Sequence, residues 1–167
     1  MPNSLFPVTR RQFGRRLCGL PLTRLWGAGP ASGPWDEPAR VHRVYVVAPT
    51  VHWPKPDLNV KRDVAEVEAR MAEVARKHAR LVTFTGGEVL QSDADVEPCL
   101  KSMGDADAVL IFPMSAPAGP LNTLIQALPV PALYFSRPYA GHAWSSIPAF
   151  RQNGKRIDAV ASSSFDS

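Results

Sequence analysis

The chain has 167 residues, enough for one domain with a single core, and it carries a formal net charge of +4. All of that excess lies in the first 42 residues, where six arginines accompany two acids, whereas the rest of the chain holds thirteen basic and thirteen acidic side chains. Because affinity for nucleic acid needs a clustered basic face, this balance argues against a nucleic-acid partner.

The amino-terminal segment contains the sequence TRRQFGR at residues 9–15, followed by a modestly apolar stretch and then by small residues. It resembles a twin-arginine export signal, although Gly14 replaces the usual Leu or Ile and Pro21 interrupts the apolar stretch. We therefore expect residues 1–31 to be an export signal and the mature protein to be periplasmic or secreted. The alternative is a disordered basic leader on a cytoplasmic protein. Residues 32–40 are predicted to be a linker, and residues 41–167 a Rossmann-like α/β domain.

Five short apolar runs in that domain are predicted to be β-strands. Runs without alternating polar residues are typical of parallel strands that are covered on both faces. The predicted strands comprise residues 41–48, 80–85, 108–112, 130–135 and 156–161. The third run, AVLIF, is the most apolar and is placed centrally, while the second is predicted to close at Gly86 and Gly87.

Apolar residues at helical spacing separate the predicted strands. The longest stripe consists of Val60, Val64, Val67, Met71 and Val74. Asp57 or Asn59 is available as the N-cap of this helix. Three further helices are predicted: one after the capping-box sequence SDAD at 92–95, one over 121–128, and one from 146 to 154 with proline in its first turn. No segment reaches the roughly 20 apolar residues that a membrane span needs.

Strict alternation of strands and helices predicts right-handed crossovers and a three-layer, doubly wound parallel sheet. For five strands the expected order is 2-1-3-4-5, as in flavodoxin-like folds, with ligands bound outside the carboxyl ends of the strands. Five loops are predicted to meet at that edge, at residues 49–54, 85–88, 113–119, 136–144 and 162–166.

Several activities of this fold class do not match these loops. The loop after the first strand, PTVHWP, lacks the glycines of a phosphate-binding loop, and Pro113 and Met114 stand where a phosphoryl-accepting aspartate would be needed. Neither a dinucleotide fingerprint nor a P-loop pattern is present. No metal site is predicted, because the four histidines are scattered and none pairs with another ligand at helix spacing. Cys99 is predicted to pack on an apolar helix face.

The loop SRPYAGHAW, at residues 136–144, carries the most unusual side chains. Arg137 can donate a fork of hydrogen bonds to a pair of hydroxyl groups or to a carboxylate, and Tyr139 and Trp144 offer flat faces that stack on sugar rings. The alternative is a loop whose aromatic side chains pack beneath it and whose arginine is solvated. The predicted substrate-binding residues are Arg137, Tyr139, His142, Trp144, Ser115 and His52.

The run RPYxGHxW at a strand end, the proline-rich loop after Phe112, and the closing GKR strand with its serine-rich end resemble a known family. They are similar to the amino-terminal Rossmann-like domain of the L-fucose and L-arabinose isomerase superfamily, over about residues 43–167. In that superfamily the following domains carry the manganese ligands and the acid/base carboxylates. The resemblance therefore implies substrate-rim residues but neither a metal nor an identified catalytic residue in this chain.

The implied protein is the amino-terminal domain of an exported aldose–ketose isomerase-like protein that binds a small sugar or polyol. As a fragment truncated at its carboxyl terminus it is expected to be inactive, with Mn²⁺ required only in a longer protein. Its expected partners are further domains or a second copy in a homo-oligomer. The alternative is a stand-alone periplasmic carbohydrate-binding or interaction module without catalysis.

Overall fold

Strands and helices alternate along the computed structural model, which describes residues 37–49, 55–116, 119–138, 140 and 143–164. The strands are β1 (Ala39–Val46), β2 (Val82–Leu90), β3 (Ala108–Pro113), β4 (Ala132–Ser136) and β5 (Ile157–Ala161). The helices are α1 (Val60–Lys77), α2 (Val96–Ser102), α3 (Gly119–Ala127) and α4 (Ile147–Gln152). Short 3-10 turns at Asp93–Asp95 and Ala143–Ser146 lead into α2 and α4. The expected export signal lies outside the described residues.

All five strands pair in parallel, in the order β2-β1-β3-β4-β5. This confirms the predicted flavodoxin-like order and the three-layer, doubly wound arrangement. The two central strands are buried on both faces, with Val44 and Tyr45 of β1 and Ile111 of β3 at 0% exposure. The apolar runs of β3 and of the second half of β1 follow from this position, because both faces of the sheet are covered there.

Two apolar clusters lie on opposite faces of the sheet. One contains buried residues of α2, α3 and α4, and the other is covered by α1 through Val67 and Met71. On the α1 face, Tyr45 stacks on Phe112 with 5.4 Å between ring centroids. The edge strand β5 is open on the α1 face, where Val160 remains 43% exposed. No helix in the described part of the chain is long and apolar enough to cross a membrane.

The prediction of a loop at residues 85–88 is wrong, because β2 continues through these residues to Leu90. Arg43 pairs with Gly86 and Val44 with Glu88, so Gly87 is an extra residue in a β-bulge. Gly86 and Gly87 adopt φ angles of 76° and 124°, which glycine reaches without the steric penalty of a side chain. Pairing with β1 resumes immediately afterwards. Glu88 therefore lies inside the sheet and not at its carboxyl edge.

The predicted helix caps are present. Asn59 is the N-cap of α1, and its Oδ1 accepts a hydrogen bond from the Arg62 N–H at 3.0 Å. The carboxylate of Asp95 accepts hydrogen bonds from the backbone N–H groups of Gln91 and Ser92, at 2.9 and 2.8 Å. These backbone hydrogen bonds lower the pKa of Asp95. Asn59 fixes where α1 begins, and the capping box of Ser92 and Asp95 fixes the start of the 3-10 turn that leads into α2.

Two buried tyrosines differ in how their hydroxyl groups are satisfied, which predicts opposite effects of removing them. Tyr45 donates to Glu68 Oε1 at 2.6 Å, whereas the hydroxyl of Tyr134 makes no hydrogen bond within the described residues. An unsatisfied buried polar group costs about 1–3 kcal/mol. We expect Tyr134→Phe to leave the free energy of unfolding unchanged or raise it by about 1 kcal/mol, and Tyr45→Phe to lower it by about 1.5–3 kcal/mol. Urea unfolding of the two variants measures both changes. Equal losses of unfolding free energy would contradict this prediction.

Candidate functional site

A cleft opens at the carboxyl ends of β3 and β4, beside the start of α1. It is lined by Lys55, Leu58, Asp63, Pro113, Met114, Arg137, Pro138 and Ala140. Its volume is about 70 Å³. Pockets that enclose a whole small-molecule ligand usually exceed about 300 Å³, so the described cleft is large enough for one end of such a ligand. It lies at the edge where the sequence predicts ligand binding, since carboxyl strand ends are where parallel sheets bind ligands.

Asp63 is a buried carboxylate in this cleft, with its side chain 3% exposed. Lys55 Nζ lies 3.1 Å from Oδ2, and Arg62 Nη2 lies 3.2 Å from Oδ1. The backbone N–H of Asn59 also donates to Oδ2, at 3.2 Å. Burial alone would raise the pKa of Asp63, but hydrogen bonds from Lys55 and Arg62 outweigh it and leave the pKa below its ordinary value. The carboxylate is therefore ionised at neutral pH and fixed by two cations.

Arg137 follows β4 directly and brings a guanidinium to the same cleft. Its backbone carbonyl accepts a hydrogen bond from the N–H of Ala140 at 3.1 Å, which forms the turn after the strand. The side chain is half-buried, and its guanidinium makes no ion pair with any residue that the structure describes. The predicted substrate-rim residue thus combines a fixed backbone with available hydrogen-bond donors.

The other predicted site residues that the structure describes, Ser115 and Trp144, do not line the cleft. Ser115 is buried at 1% exposure, and its Oγ accepts a hydrogen bond from the Ala48 N–H at 2.8 Å, which joins the ends of β1 and β3. Trp144 is 51% exposed in the turn before α4 and does not line the cleft. Three candidates, His52, Tyr139 and His142, lie outside the described residues. Of the six candidates, Arg137 is the one that the described part of the structure places in the cleft.

Asp63 was not among the predicted site residues, although the sequence contains a signal for it. It lies three residues after Val60 and four before Val67, on the stripe of α1 that faces the sheet. A charged residue on an apolar helix stripe must find a partner when it is buried, because an unpaired buried charge is costly. That position marks Asp63 as a residue with a specific role.

A second group of polar side chains lies on the other face of the sheet and shares no residue with the cleft. One ligand atom from each of His42, Glu88 and Cys99 lies within 4.8 Å of the others. The group does not fit the manganese ion that the resemblance implies for a longer protein, because Mn²⁺ favours oxygen ligands and a thiolate favours softer ions. No spacing in the sequence indicates this group, since its members come from β1, β2 and α2.

Comparison with family models, with curated proteins and with solved structures finds no match to this chain. Its fold and the chemistry of its own side chains are therefore the basis for assigning a function.

Proposed function

We propose that this domain binds a small sugar or polyol at the carboxyl-edge cleft, as the amino-terminal domain of an exported aldose–ketose isomerase-like protein. The observation that supports the proposal is the position of Arg137, whose guanidinium has no ion-pair partner among the described residues and lines the same cleft as Asp63. The guanidinium of Arg137 and the ammonium of Lys55, which Asp63 holds in place, suit a ligand whose neighbouring oxygen atoms accept hydrogen bonds.

Each hydroxyl group of a polyol can donate one hydrogen bond and accept others. The planar guanidinium of Arg137 can donate two parallel hydrogen bonds to adjacent hydroxyl oxygens, which a lysine cannot do. Asp63 already accepts four hydrogen bonds, two on each oxygen, from Lys55, Asn59 and Arg62, so its lone pairs are occupied. Its part is to hold Lys55 in the cleft, where the ammonium group has further N–H donors for a ligand hydroxyl oxygen. Leu58 and Met114 supply apolar surface for the C–H groups of the ligand.

The charge of the cleft favours ligands that also carry a carboxylate. Lys55 and Arg137 contribute two positive charges, while Asp63 is the one acid among the described residues that line the cleft. A sugar acid can pair with the guanidinium of Arg137 through two charge-assisted hydrogen bonds, which are stronger than bonds to neutral hydroxyl groups. We expect sugar acids to bind more tightly than the neutral sugars from which they derive.

The proposal is one of substrate binding, and it assigns no catalytic residue. Isomerisation between C1 and C2 of a sugar needs a base whose pKa lies near the working pH. Asp63 is unsuited to that role, because its two cationic partners keep its pKa below the ordinary range. The catalytic groups of an isomerase of the resembled kind belong to further domains.

Binding is tested by isothermal titration of the 167-residue protein with pentoses, hexoses, alditols and the corresponding sugar acids. We expect Arg137→Lys to weaken binding about 10-fold to 100-fold, because losing a charge-assisted hydrogen bond costs about 1.5–3 kcal/mol. The matched control is Arg151→Lys, since Arg151 is 59% exposed on α4 and lies outside the cleft. Equal affinity in the Arg137 variant, or no binding of any ligand at millimolar concentration, would contradict the proposal.

The same preparations separate binding from catalysis. We expect the 167-residue chain to convert no aldose to its ketose, with or without added Mn²⁺. Turnover that rises with Mn²⁺ and disappears with a chelator would show that this chain contains the catalytic groups, contrary to the proposal.

A further inference from the structure

An imidazole, a carboxylate and a thiol meet beneath α2, on the face of the sheet opposite to α1. His42 comes from β1 and is 1% exposed, and Cys99 comes from α2 and is 2% exposed. Glu88 comes from β2, and its side chain is 36% exposed. The three ligand atoms lie within 4.8 Å of one another. This group is independent of the sugar cleft and of the function proposed for it.

His42 Nε2 lies 2.9 Å from Glu88 Oε2, which is an ion-pair distance when the imidazole is protonated. The contact does not have the geometry of a hydrogen bond, and neither of these buried atoms makes another hydrogen bond within the described residues. Buried polar atoms nearly always have a partner. When the imidazole proton is on Nδ1, Nε2 and Oε2 both present lone pairs and repel each other. A bound cation would convert that repulsion into two favourable contacts.

Neighbouring hydroxyl groups hold both side chains in the orientation that a metal site requires. The Oγ of Ser102 donates to Glu88 Oε1 at 2.6 Å, which leaves Oε2 as the available oxygen. The Oγ1 of Thr85 lies 3.4 Å from His42 Nδ1, which leaves Nε2 as the available nitrogen. In metalloproteins the atoms of histidine and carboxylate ligands that do not touch the metal are usually held in this way.

The glycine bulge of β2 gives the group its geometry. A Cβ atom at Gly86 would lie 2.6 Å from Cε1 and 2.7 Å from Nε2 of His42, so the imidazole packs against the backbone where only glycine leaves room. The extra residue, Gly87, shifts the pairing so that Glu88 lies opposite Val44, which faces the same cluster as Cys99. Without the shift Glu88 would lie opposite Tyr45, on the α1 face.

The ligand types and the access to solvent indicate which ion would bind. A nitrogen, an oxygen and a sulfur atom suit a borderline ion such as Zn²⁺, with bonds of about 2.0–2.3 Å. Tetrahedral coordination would place Nε2 and the carboxylate oxygen about 3.3 Å apart, which requires the observed pair to open by about 0.4 Å. Glu88 lies on the edge strand β2 with its side chain 36% exposed, so water can reach a fourth position beside it.

We propose that His42, Glu88 and Cys99 bind one zinc-class divalent ion, with water as the fourth ligand. Binding releases the thiol proton of Cys99 to solvent, because the thiolate is the metal ligand. Three protein ligands and one open position are typical of zinc sites that exchange a ligand, whereas closed structural sites use four protein ligands.

The test uses Co²⁺ as a spectroscopic substitute for Zn²⁺ in the full chain carrying Cys18→Ser, so that Cys99 is the one remaining thiol. Under reducing, oxygen-free conditions we expect one equivalent of Co²⁺ to produce the intense visible bands of tetrahedral coordination and a near-ultraviolet thiolate charge-transfer band. Zn²⁺ should displace the Co²⁺ and should slow alkylation of Cys99 by iodoacetamide at least 10-fold.

Substitutions identify the ligands. Cys99→Ser should abolish the charge-transfer band, and Glu88→Gln should weaken Co²⁺ binding at least 10-fold. The matched controls are His78→Gln and Glu97→Gln, which change exposed residues outside the group and should leave the titration unchanged. Octahedral spectra without the charge-transfer band, or no stoichiometric binding by the Cys18→Ser protein, would overturn the proposal. Because the Cys18→Ser protein itself provides this readout, the result does not depend on whether every ligand variant folds.

Discussion

Replacing Gly86 with alanine is expected to lower the free energy of unfolding by about 3 kcal/mol or more. The new Cβ would lie 2.6 Å from His42 Cε1 and 2.7 Å from the carbonyl oxygen of Arg43, closer than real Cβ contacts come. The backbone would also have to keep a φ angle of 76°, which costs a residue with a side chain about 1–2 kcal/mol. Both His42 and the β1 backbone lie within the packed sheet, so neither can move away without disturbing its neighbours.

Gly104→Ala is the matched control, because Gly104 has a φ angle of 56° but no atom within 4 Å of the added Cβ. It should lose only the backbone term, about 1 kcal/mol. Urea unfolding of both variants at neutral pH, followed by circular dichroism, measures the difference. If both variants lose the same free energy, the imidazole does not pack against the bulge as described.

The order of the sheet could be predicted from sequence because burial leaves a direct trace in composition. β3 and the second half of β1 are covered on both faces, so AVLIF in β3 and Val44–Val46 at the end of β1 are continuous apolar runs, unlike the alternating pattern of a half-exposed strand. Short connections and right-handed crossovers then leave few possible arrangements of five strands. The predicted burial of Cys99 on a helix face is likewise confirmed, at 2% exposure.

The bulge of β2 could not be predicted in the same way. A glycine pair ordinarily indicates the end of a strand, and Gly86 and Gly87 do have the positive φ angles of a turn. Their conformation is compatible with continued pairing only because β1 supplies hydrogen-bonding partners on both sides of the extra residue. The need for glycine at Gly86 comes from His42, which is distant in sequence. A contact of this kind becomes visible only when the strand register is known.

The two candidate sites also differ in how far the sequence alone predicts them. The position of Arg137 at the carboxyl edge was predictable, because this residue directly follows an apolar strand. The group of His42, Glu88 and Cys99 joins three elements, and no fixed spacing in the sequence connects them. Moreover, the bulge moves Glu88 from one face of the sheet to the other, so even a correct strand order would have placed it wrongly.

Asp63→Asn is expected to lower the free energy of unfolding by about 2 kcal/mol at neutral pH, because it removes the charge that binds Lys55 and Arg62 at the start of α1. The effect should depend on pH. The folded protein holds the pKa of Asp63 below its ordinary value of about 3.9. The carboxylate therefore contributes its full stability above that value and loses it as the pH falls through the lower, folded-state pKa.

The difference between the wild type and Asp63→Asn should accordingly be constant from neutral pH down to about pH 4 and shrink toward zero in stronger acid. Other carboxylates titrate in both proteins, so they cancel in this comparison. Glu73→Gln is the control, because Glu73 is 56% exposed and its ion pair with Arg70 should contribute at most about 0.5 kcal/mol. Urea unfolding at a series of pH values measures all three proteins. A difference that persists unchanged below pH 3 would mean that Asp63 stabilises the start of α1 by packing and not by its charge.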